Sequence, residues 1–572
     1  MESIADRKPW LAFYGSTPKT LRYPDRTMYG LVRERAAAVP DATAYDFMGT
    51  RSTYAKLVAD VDAAAEALAA RGLKKGDTVT VSLPNCPQAL ILFYALNRLG
   101  VRASMIHPLS APTEIEFYLR QSSSKWLVTL DAFYGDAHGP AAKVGVETHL
   151  LVSIGDALGI VKRLGFWAKA GRKIRKPPEH DRKVLRWKDL LATPSVNGGS
   201  APADAFAPDE AAVILYSGGT TGLPKGILLS SRNFNALGLQ IGTQGPIETG
   251  DTILSILPMF HGFGLGVCVH AFMIAGGTCV LVPRFTSETV AKLIKTVRPQ
   301  YMAGVPTLYE ALLRDPNVTG TDLSCFKGIY AGGDKLPQGI KERFDALLAA
   351  NNGKTALLEG YGLTESVTAC VTTPVGNYRP GSIGIPLPDM LAKVCKPGTE
   401  EELPPGEDGE LCVSGPTLMQ GYLNSPEDTA STLRVHADGR TWLHTGDLCS
   451  IDSDGFIYFR LRMKRIVKVS GVSVSPVTVE ETLDSHPDVD MSCVIGVPDE
   501  KKLAALKAFV VLKDRSKAGP GKAAELIEYC KGHLITWSVP RSIEFRETLP
   551  LTRIGKVAWN ELEKEEAGKA GS

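Results

Sequence analysis

Apolar and polar positions follow two rhythms along this chain, one of period near 3.6 and one of period 2. An Ala-rich stretch over 57–71 carries helical spacing and is followed by the turn Lys74-Lys75-Gly76-Asp77. Residues 78–83 alternate like a strand, and 87–99 return to a helical pattern that ends at Gly100. The same style resumes with a strand over 211–216, a polar glycine-rich loop over 217–226 and a strand over 227–229. Short β-rich runs separated by helices predict an open, largely parallel α/β sheet. After Asp447 the pattern changes. Residues 456–460 read as a strand, 461–465 are basic, and 472–500 with 508–512 suggest a small α+β unit carrying a helix over 523–533. The chain therefore divides into a large N-terminal α/β domain, 1–461, and a small α+β C-terminal domain, 462–572. The charged run Arg462-Met463-Lys464-Arg465 serves as an exposed connector.

From Thr252 to Pro283 there is no formally charged residue, a length compatible with a membrane span. The run nevertheless holds Pro258, His261, His270 and glycines at 262, 264, 266, 276 and 277. It parses as a strand over 252–257, a glycine-rich loop, a buried helix over about 265–274, a Gly-Gly turn and a strand over 278–282. Ten or so apolar helical residues suit a protein core better than a bilayer.

Composition narrows the class. Of 572 residues 44% are hydrophobic and 22% charged, which excludes wholesale disorder. A formal charge of +2 excludes a generic polyanion binder, so no nucleic-acid partner is expected. The ten cysteines are scattered, with no CxxC and no HExxH, so finger, dithiol and zincin chemistries lack support and a reducing compartment is favoured. Neither terminus carries a signal or lipidation pattern, and the expected location is cytoplasmic. One segment departs from the average: residues 162–188 hold eleven Lys or Arg against Glu179 and Asp181. Leu158, Val161, Leu164 and Ala168 fall on one helical stripe beside it, with Phe166 and Trp167. Such a basic amphipathic stretch, 158–188, reads either as a solvated insertion or as a peripheral contact with the inner membrane surface. No feature of the chain sets an oligomeric state.

The most informative string is Tyr216-Ser217-Gly218-Gly219-Thr220-Thr221-Gly222-Leu223-Pro224-Lys225-Gly226. Its glycines let backbone N–H groups approach phosphate oxygens, its hydroxyls add donors, and Lys225 supplies a compact cation. Clamped between two apolar β runs, it reads as an anion-binding loop rather than a linker. It is not a Walker A loop, because Pro224 precedes Lys225 and Gly226 follows it. Nor does Gly262-x-Gly264 make a dinucleotide fingerprint, since Val267 stands where the third glycine belongs.

This loop resembles the signature of the adenylate-forming enzymes: acyl-CoA synthetases, adenylation domains and luciferases. Further segments match in order: Pro258-Met259-Phe260-His261, Ala331-Gly332-Gly333-Asp334, Tyr361-Gly362-Leu363-Thr364-Glu365, Thr445-Gly446-Asp447, Arg462-x-Lys464 and Thr552-Arg553-Ile554-Gly555-Lys556. The resemblance runs from about residue 30 to 565. It implies a multi-subdomain α/β N-terminal domain with a mobile C-terminal domain. It further implies that ATP and a carboxylic acid form an acyl-adenylate with loss of pyrophosphate, after which the acyl group passes to the thiol of coenzyme A.

On that resemblance Ser217, Gly218, Gly219, Thr220, Thr221 and Lys225 cradle phosphates. Adenine stacks on the Tyr361 face and is met edge-on by Ala331, Gly332 and Gly333, with Asp334 and Gly362 in the same nucleotide-binding set. Asp447 accepts the ribose hydroxyls, with Arg462 adding a contact. Thr364 and Glu365 contact phosphate, and Glu365 holds Mg²⁺, a hard cation suited to carboxylate oxygen. His261 joins the catalytic set. Lys556 offsets charge building between the α-phosphate and the attacking carboxylate. Lys464 is the hinge, and the stretch 468–471 with Gly471 lines the pantetheine tunnel after rotation. The acid pocket is expected around 261–265 and 235–240, whose residues are mostly small or apolar. Since an apolar channel discriminates weakly per methylene, chain length is unreadable. The loop variant and the basic insertion look like bacterial medium- and long-chain fatty-acyl-CoA ligases. Aryl acids, a stand-alone adenylation enzyme serving a carrier protein and a non-catalytic binding protein remain alternatives. Val497-Pro498-Asp499-Glu500 continues with Lys501-Lys502 where relatives often carry Gly-Glu, a departure within the C-terminal domain.

Overall fold

The computed structural model describes residues 2–169, 181, 183–193, 207–217, 224–465, 467–469, 472–499, 503–552 and 556–570. Two mixed sheets dominate it. In the nine-stranded sheet the six central strands, Leu357–Tyr361, Gly328–Gly332, Tyr301–Gly304, Thr252–Ser255, Thr278–Leu281 and Thr43–Phe47, run parallel in that spatial order. In the eight-stranded sheet Ala211–Tyr216, Arg102–Met105, Thr78–Ser82, Trp126–Leu130, Thr148–Val152 and Val184–Arg186 do the same. Strands such as Thr78–Ser82 are buried along their whole length, as expected of parallel strands covered on both faces.

The helix Pro87–Leu99 shows why these sheets pack as they do. All thirteen of its residues are buried, as in a mostly apolar helix enclosed on every side, with Gln88, Asn97 and Arg98 as its buried polar members. Pro87 opens it where an unpaired N–H is harmless, and Gly100 closes it at φ 72°, the left-handed value that favours glycine. The uncharged run folds largely as its pattern predicts, with strands Thr252–Ser255 and Thr278–Leu281 around buried helix. One part differs. Where a glycine-rich loop is expected, the chain is already helical: a π-helix, Phe263–His270, continues into the α-helix Ala271–Ala275. Gly264 is there for close approach, because a Cβ at that position would lie 2.2 Å from the Pro258 carbonyl oxygen. No helix among the described residues is long and apolar enough to cross a membrane.

A five-stranded antiparallel sheet follows, ordered Leu391–Cys395, Gly409–Ser414, Thr441–Ile451 and Leu433–Val435, with Ile457–Arg462 also paired to Thr441–Ile451. One continuous core spans from Ile4 to Ile457. Separate apolar clusters lie on the two faces of the later sheet of Val489–Asp499, Leu503–Leu512 and Ser542–Phe545, one around Val479, Leu506 and Leu526, the other around Phe509 and Leu562. Within the run 462–465 Arg462 is exposed, as its charge suggests, whereas Arg465 is largely enclosed. Arg462 ends a strand directly opposite Asp447. Arg465 pairs with Glu480 at 2.6 Å, donates to the Val494 carbonyl at 3.1 Å and lies over the Trp559 ring. A guanidinium finds carboxylate, carbonyl and aromatic partners at once when the fold supplies them, and the sequence does not reveal those partners.

Candidate active site

The strands Ala211–Tyr216 and Gly226–Ser230 pair antiparallel with Tyr216 opposite Gly226, so 217–225 form the connection between them. The loop is closed by the Ser217 N–H donating to the Lys225 carbonyl at 3.1 Å. Gly218, Gly219, Thr220 and Thr221 lie outside the described residues. Lys225 Nζ is 2.7 Å from Asp428 and 4.9 Å from the Tyr422 ring centre. Tyr422 in turn donates its hydroxyl to Glu365 Oε1 at 2.8 Å. Tyr422 thus ties the base of the phosphate loop to the Thr364–Ser366 turn, and nothing in the sequence pattern singles it out. Among the described residues this is the single side-chain hydrogen bond to the Glu365 carboxylate. A carboxylate so placed, next to Thr364, fits a magnesium–phosphate group.

The adjacent parallel strands Gly328–Gly332 and Leu357–Tyr361, with Gly332 opposite Gly360, end side by side and deliver residues 332–334 and 361–365 to one rim. Gly333 holds φ 84°. Gly362 is required sterically, since a Cβ there would fall 1.6 Å from the Thr368 carbonyl oxygen. At this rim the Tyr361 hydroxyl donates to Asp447 Oδ2 at 2.6 Å. Arg462 Nε stands 3.0 Å from Asp447 Oδ1, an ion pair without hydrogen-bond alignment. Asp447 is fully buried, and its Oδ1 has no hydrogen-bond donor among the described residues. Burial raises the Asp447 carboxyl above the usual range, with Arg462, Tyr361 and Lys556 pulling it back. A buried carboxylate oxygen without a hydrogen-bond donor is what a hydroxylated ligand such as ribose would satisfy.

Lys556 reaches the same rim from the C-terminal part. A bridge between Leu551 and Val557, the Thr552 N–H on the Lys556 carbonyl at 2.6 Å and the Lys556 N–H on Thr552 Oγ1 at 3.0 Å close the turn that carries it. Its Cε lies 3.5 Å from where a Cβ on Gly333 would be, an ordinary contact distance, so the lysine stem passes directly over that residue. Burial lowers its pKa from the ordinary lysine value, with Asp334 opposing, Arg462 reinforcing and Asp447 opposing. His261 is pushed down to about 4 by burial and by the Lys556 charge. Its Nδ1 accepts the Phe263 N–H at 3.2 Å, so the neutral ring carries its proton on Nε2. Two ion pairs hold this arrangement from outside the motifs, Arg314 with Asp490 and Lys335 with Glu481. Only the fold pairs these residues, which lie 176 and 146 positions apart.

Asp447, Tyr361, Arg462, Gly333 and Lys556 therefore meet at one rim, with Glu365 coupled to the phosphate loop through Tyr422. His261 enters through its electrostatic contact with Lys556. Ser217 and Lys225 frame that loop, although the Lys225 ammonium is engaged by Asp428. Thr364 begins a single 3₁₀ turn ending at Ser366, after which Val367 takes φ 63°. Lys464 falls in the 3₁₀ turn Met463–Arg465, directly after Arg462. Gly471 lies outside the described residues. The predicted acid-pocket residues on the helix Ser231–Gln244 are more polar in their engagements than an apolar channel suggests. Asn235 donates to the Arg26 carbonyl at 2.9 Å and meets His270 Nε2 at 2.9 Å, and Gln240 donates to the Pro388 carbonyl at 2.6 Å. Leu237, Leu265 and Phe234 at this place are fully buried members of the continuous core.

Known proteins share this organisation over nearly the whole chain. A long-chain-fatty-acid–CoA ligase of Bacillus subtilis is 34% identical over 568 residues, 98% of this chain and 99% of that protein. A long-chain-fatty-acid–CoA ligase of Escherichia coli is 32% identical over 574 residues, again 98% and 99%. The crystal structure of ATP-bound MatB from Rhodopseudomonas palustris superposes with a TM-score of 0.80 at 28% identity, covering 94% of this chain and 98% of that one. Residues 32–423 match the model of the AMP-binding enzyme family and 478–556 that of the AMP-binding enzyme C-terminal domain. With both matches in order, and with the paired carboxylate, tyrosine and lysine at one rim, the chain belongs to the AMP-binding enzyme family.

Proposed function

We propose that this protein is an ATP-dependent acid–thiol ligase that activates a long-chain fatty acid as its acyl-adenylate and transfers the acyl group to coenzyme A. The observation that carries the reading is the convergence of a buried, incompletely satisfied Asp447 carboxylate and a desolvated Lys556 ammonium on one rim. In this assignment the open Oδ1 of Asp447 takes ribose hydroxyls, and Tyr361 and Arg462 hold the carboxylate. Gly332, Gly333, Asp334 and Gly362 form the adenine edge, with the Tyr361 ring as its wall. Thr364, Glu365, Ser217, Lys225 and residues 218–221 address the phosphates, and Glu365 is the magnesium ligand. Mg²⁺ there would screen the polyphosphate from an incoming carboxylate. Lys556 places one positive charge where negative charge accumulates as acid and α-phosphate approach. Neutral His261 offers an Nε2 proton beside it.

Residues 462–572 are assigned as a module that withdraws Lys556 after adenylation, with Lys464 as its hinge and Gly471 on the thiol path. The long-chain assignment is supported by the likeness to the long-chain-fatty-acid–CoA ligases of Bacillus subtilis and Escherichia coli. Pyrophosphate release measured over straight-chain and aryl acids, with and without coenzyme A, tests it. Turnover that rises with chain length and yields AMP plus thioester is expected. Release confined to aryl acids, or strictly dependent on a carrier protein, would replace the assignment.

A second reading concerns location: a cytoplasmic enzyme working at the inner face of a membrane. It is supported by the helix Ile160–Lys169, where Ile160, Val161 and Leu164 are 81%, 83% and 68% exposed beside Lys162 and Arg163. An exposed apolar stripe flanked by cations matches an anionic bilayer surface. Flotation with vesicles containing anionic lipid, lost in Ile160→Glu/Leu164→Glu, is the expected result. Equal flotation of that variant would remove the helix from the contact.

A further inference from the structure

Asp447 sits between two irregularities of the strand Thr441–Ile451. Against Gly409–Ser414 the register runs Glu410 opposite Leu448 but Cys412 opposite His444, so the three residues 445–447 face the single residue Leu411. Against Ile457–Arg462 the register shifts again between Leu448 and Cys449. Bulges re-aim side chains, and this one turns Asp447 toward the rim. Backbone groups left unpaired by a buried bulge need other partners.

Those partners are side chains outside the nucleotide rim. Glu410 Oε1 accepts the Gly446 N–H at 3.1 Å, at the residue that takes φ 70°. Glu410 Oε2 meets His444 Nδ1 at 2.9 Å, and His444 Nε2 meets His436 Nε2 at 2.9 Å. Thr445 completes the set, donating its hydroxyl to the Leu411 carbonyl at 2.8 Å and accepting the Asp447 N–H at 3.1 Å. Glu410, His444, His436 and Thr445 are all buried. The proton order follows from the geometry. With Nδ1–H of His444 on the carboxylate, its Nε2 is the acceptor for Nε2–H of His436, which leaves His436 Nδ1 as the one unpaired atom of the series. A buried carboxylate is costly unless hydrogen-bonded, so once its partners are lost Glu410 does not remain in place.

We infer that Glu410, backed by His444 and His436, is a positioning device for Asp447: it holds the Gly446 bulge that aims the carboxylate at the ribose hydroxyls. The inference rests on the nucleotide site proposed above. Glu410, Cys412 and His444 also place ligand-type atoms within 4.8 Å of one another. The relay accounts for them without an ion, since Glu410 and His444 already serve as each other's partners.

The test is direct nucleotide binding by calorimetry with the full chain, comparing ATP with 2′,3′-dideoxy-ATP in the presence of Mg²⁺. The wild type is expected to prefer ATP by roughly 10–100-fold, the scale of a hydrogen bond to a charged group, and Asp447→Ala to abolish the preference. Glu410→Ala should lower the preference to within about threefold of the Asp447→Ala value, and the double variant should bind ATP no more weakly than Asp447→Ala alone. Glu410→Gln, which keeps an acceptor for the Gly446 N–H, should recover part of the preference. His436→Asn, at the far end of the relay, reports on the same positioning if Glu410→Ala does not fold, and should halve the preference or more. If the wild type shows no preference, the ribose assignment of Asp447 is wrong. If the wild type and Asp447→Ala behave as stated but the Glu410 and His436 variants weaken both nucleotides equally, the positioning claim fails on its own. Stoichiometric zinc in the purified protein, removed by Cys412→Ser, would also overturn the relay in favour of a metal site.

Discussion

Replacing Lys556 by methionine keeps most of the stem that passes Gly333 while deleting the charge. The ammonium sits in a partly dry rim where Asp447 and Arg462 already offset one another, so its loss has no nearby substitute. At an effective dielectric constant of about 20, two unit charges about 4 Å apart interact by about 4 kcal/mol. Partial exposure of Lys556 reduces this, and about 2.7–4 kcal/mol is the range seen when a single preorganised donor is removed from a reacting centre. Lys556→Met should therefore slow adenylation by about 10²–10³-fold. The assay separates the half-reactions. Single-turnover pyrophosphate release reports adenylation, and AMP release from supplied acyl-adenylate and coenzyme A reports thioester formation. The second should stay within a few-fold of wild type. Equal losses in both would refute the idea that the lysine serves one step and then withdraws. The pH profile adds an independent check. Because Lys556 titrates below an ordinary lysine, adenylation should fall as pH rises through that lowered value, earlier than an exposed lysine would dictate. The alkaline limb should vanish in the methionine variant.

Removing the Lys556 charge should also raise the His261 pKa from about 4, seen by NMR titration; it should stay below 6.5, because burial is the larger cause. Arg314→Gln breaks the pair with Asp490 and should shift the balance of half-reactions toward thioester formation by roughly two- to fivefold, the upper part of the range for surface pairs, since Arg314 is half exposed and Asp490 is not. A larger effect on total turnover than on that balance would count against the pair as a holder of the C-terminal part. Gly264→Ala forces a Cβ to 2.2 Å from the Pro258 carbonyl oxygen and should lower stability by about 1–3 kcal/mol in denaturant unfolding. Asp484 accepts a hydrogen bond from Ser492 at 2.8 Å, and burial pushes its carboxyl up to about 8. Its folded form thus binds a proton more tightly than the unfolded chain. Stability is fully present below the ordinary aspartate range and falls as pH rises toward 8. Asp484→Asn should flatten that slope, and an unchanged slope would show that another group causes it.

Much of this protein is legible in one dimension. Local patterns suffice for the helix Pro87–Leu99, whose proline start, mostly apolar circumference and terminal glycine all lie within fourteen consecutive residues. They suffice equally for the strand Ala211–Tyr216 and for the helical part of the uncharged run 252–283. The segments that resemble the adenylate-forming enzymes carry their chemistry in contiguous residues, so Thr364, Glu365, Asp447 and Lys556 could be named before any fold was known. What escapes the sequence is whatever depends on groups distant along the chain. Arg462 and Arg465 look alike as exposed cations of a linker, yet one faces Asp447 and the other is enclosed by Glu480, Val494 and Trp559. The glycines at 264 and 266 look like loop freedom, yet the first marks backbone packed against a helix that begins earlier than its composition suggests.

The chain alone settled which chemical groups are present and in what order, because motif identity is a property of neighbouring residues. Only the tertiary structure decided which of them meet. It brought Tyr361 onto Asp447, Tyr422 onto Glu365 and Arg314 onto Asp490, and it put the Glu410 carboxylate behind the Gly446 bulge. Burial, hydrogen bonding and Coulomb attraction act through a few ångströms of space regardless of sequence separation. The protonation states and orientations at the site therefore follow from those meetings and from no local pattern.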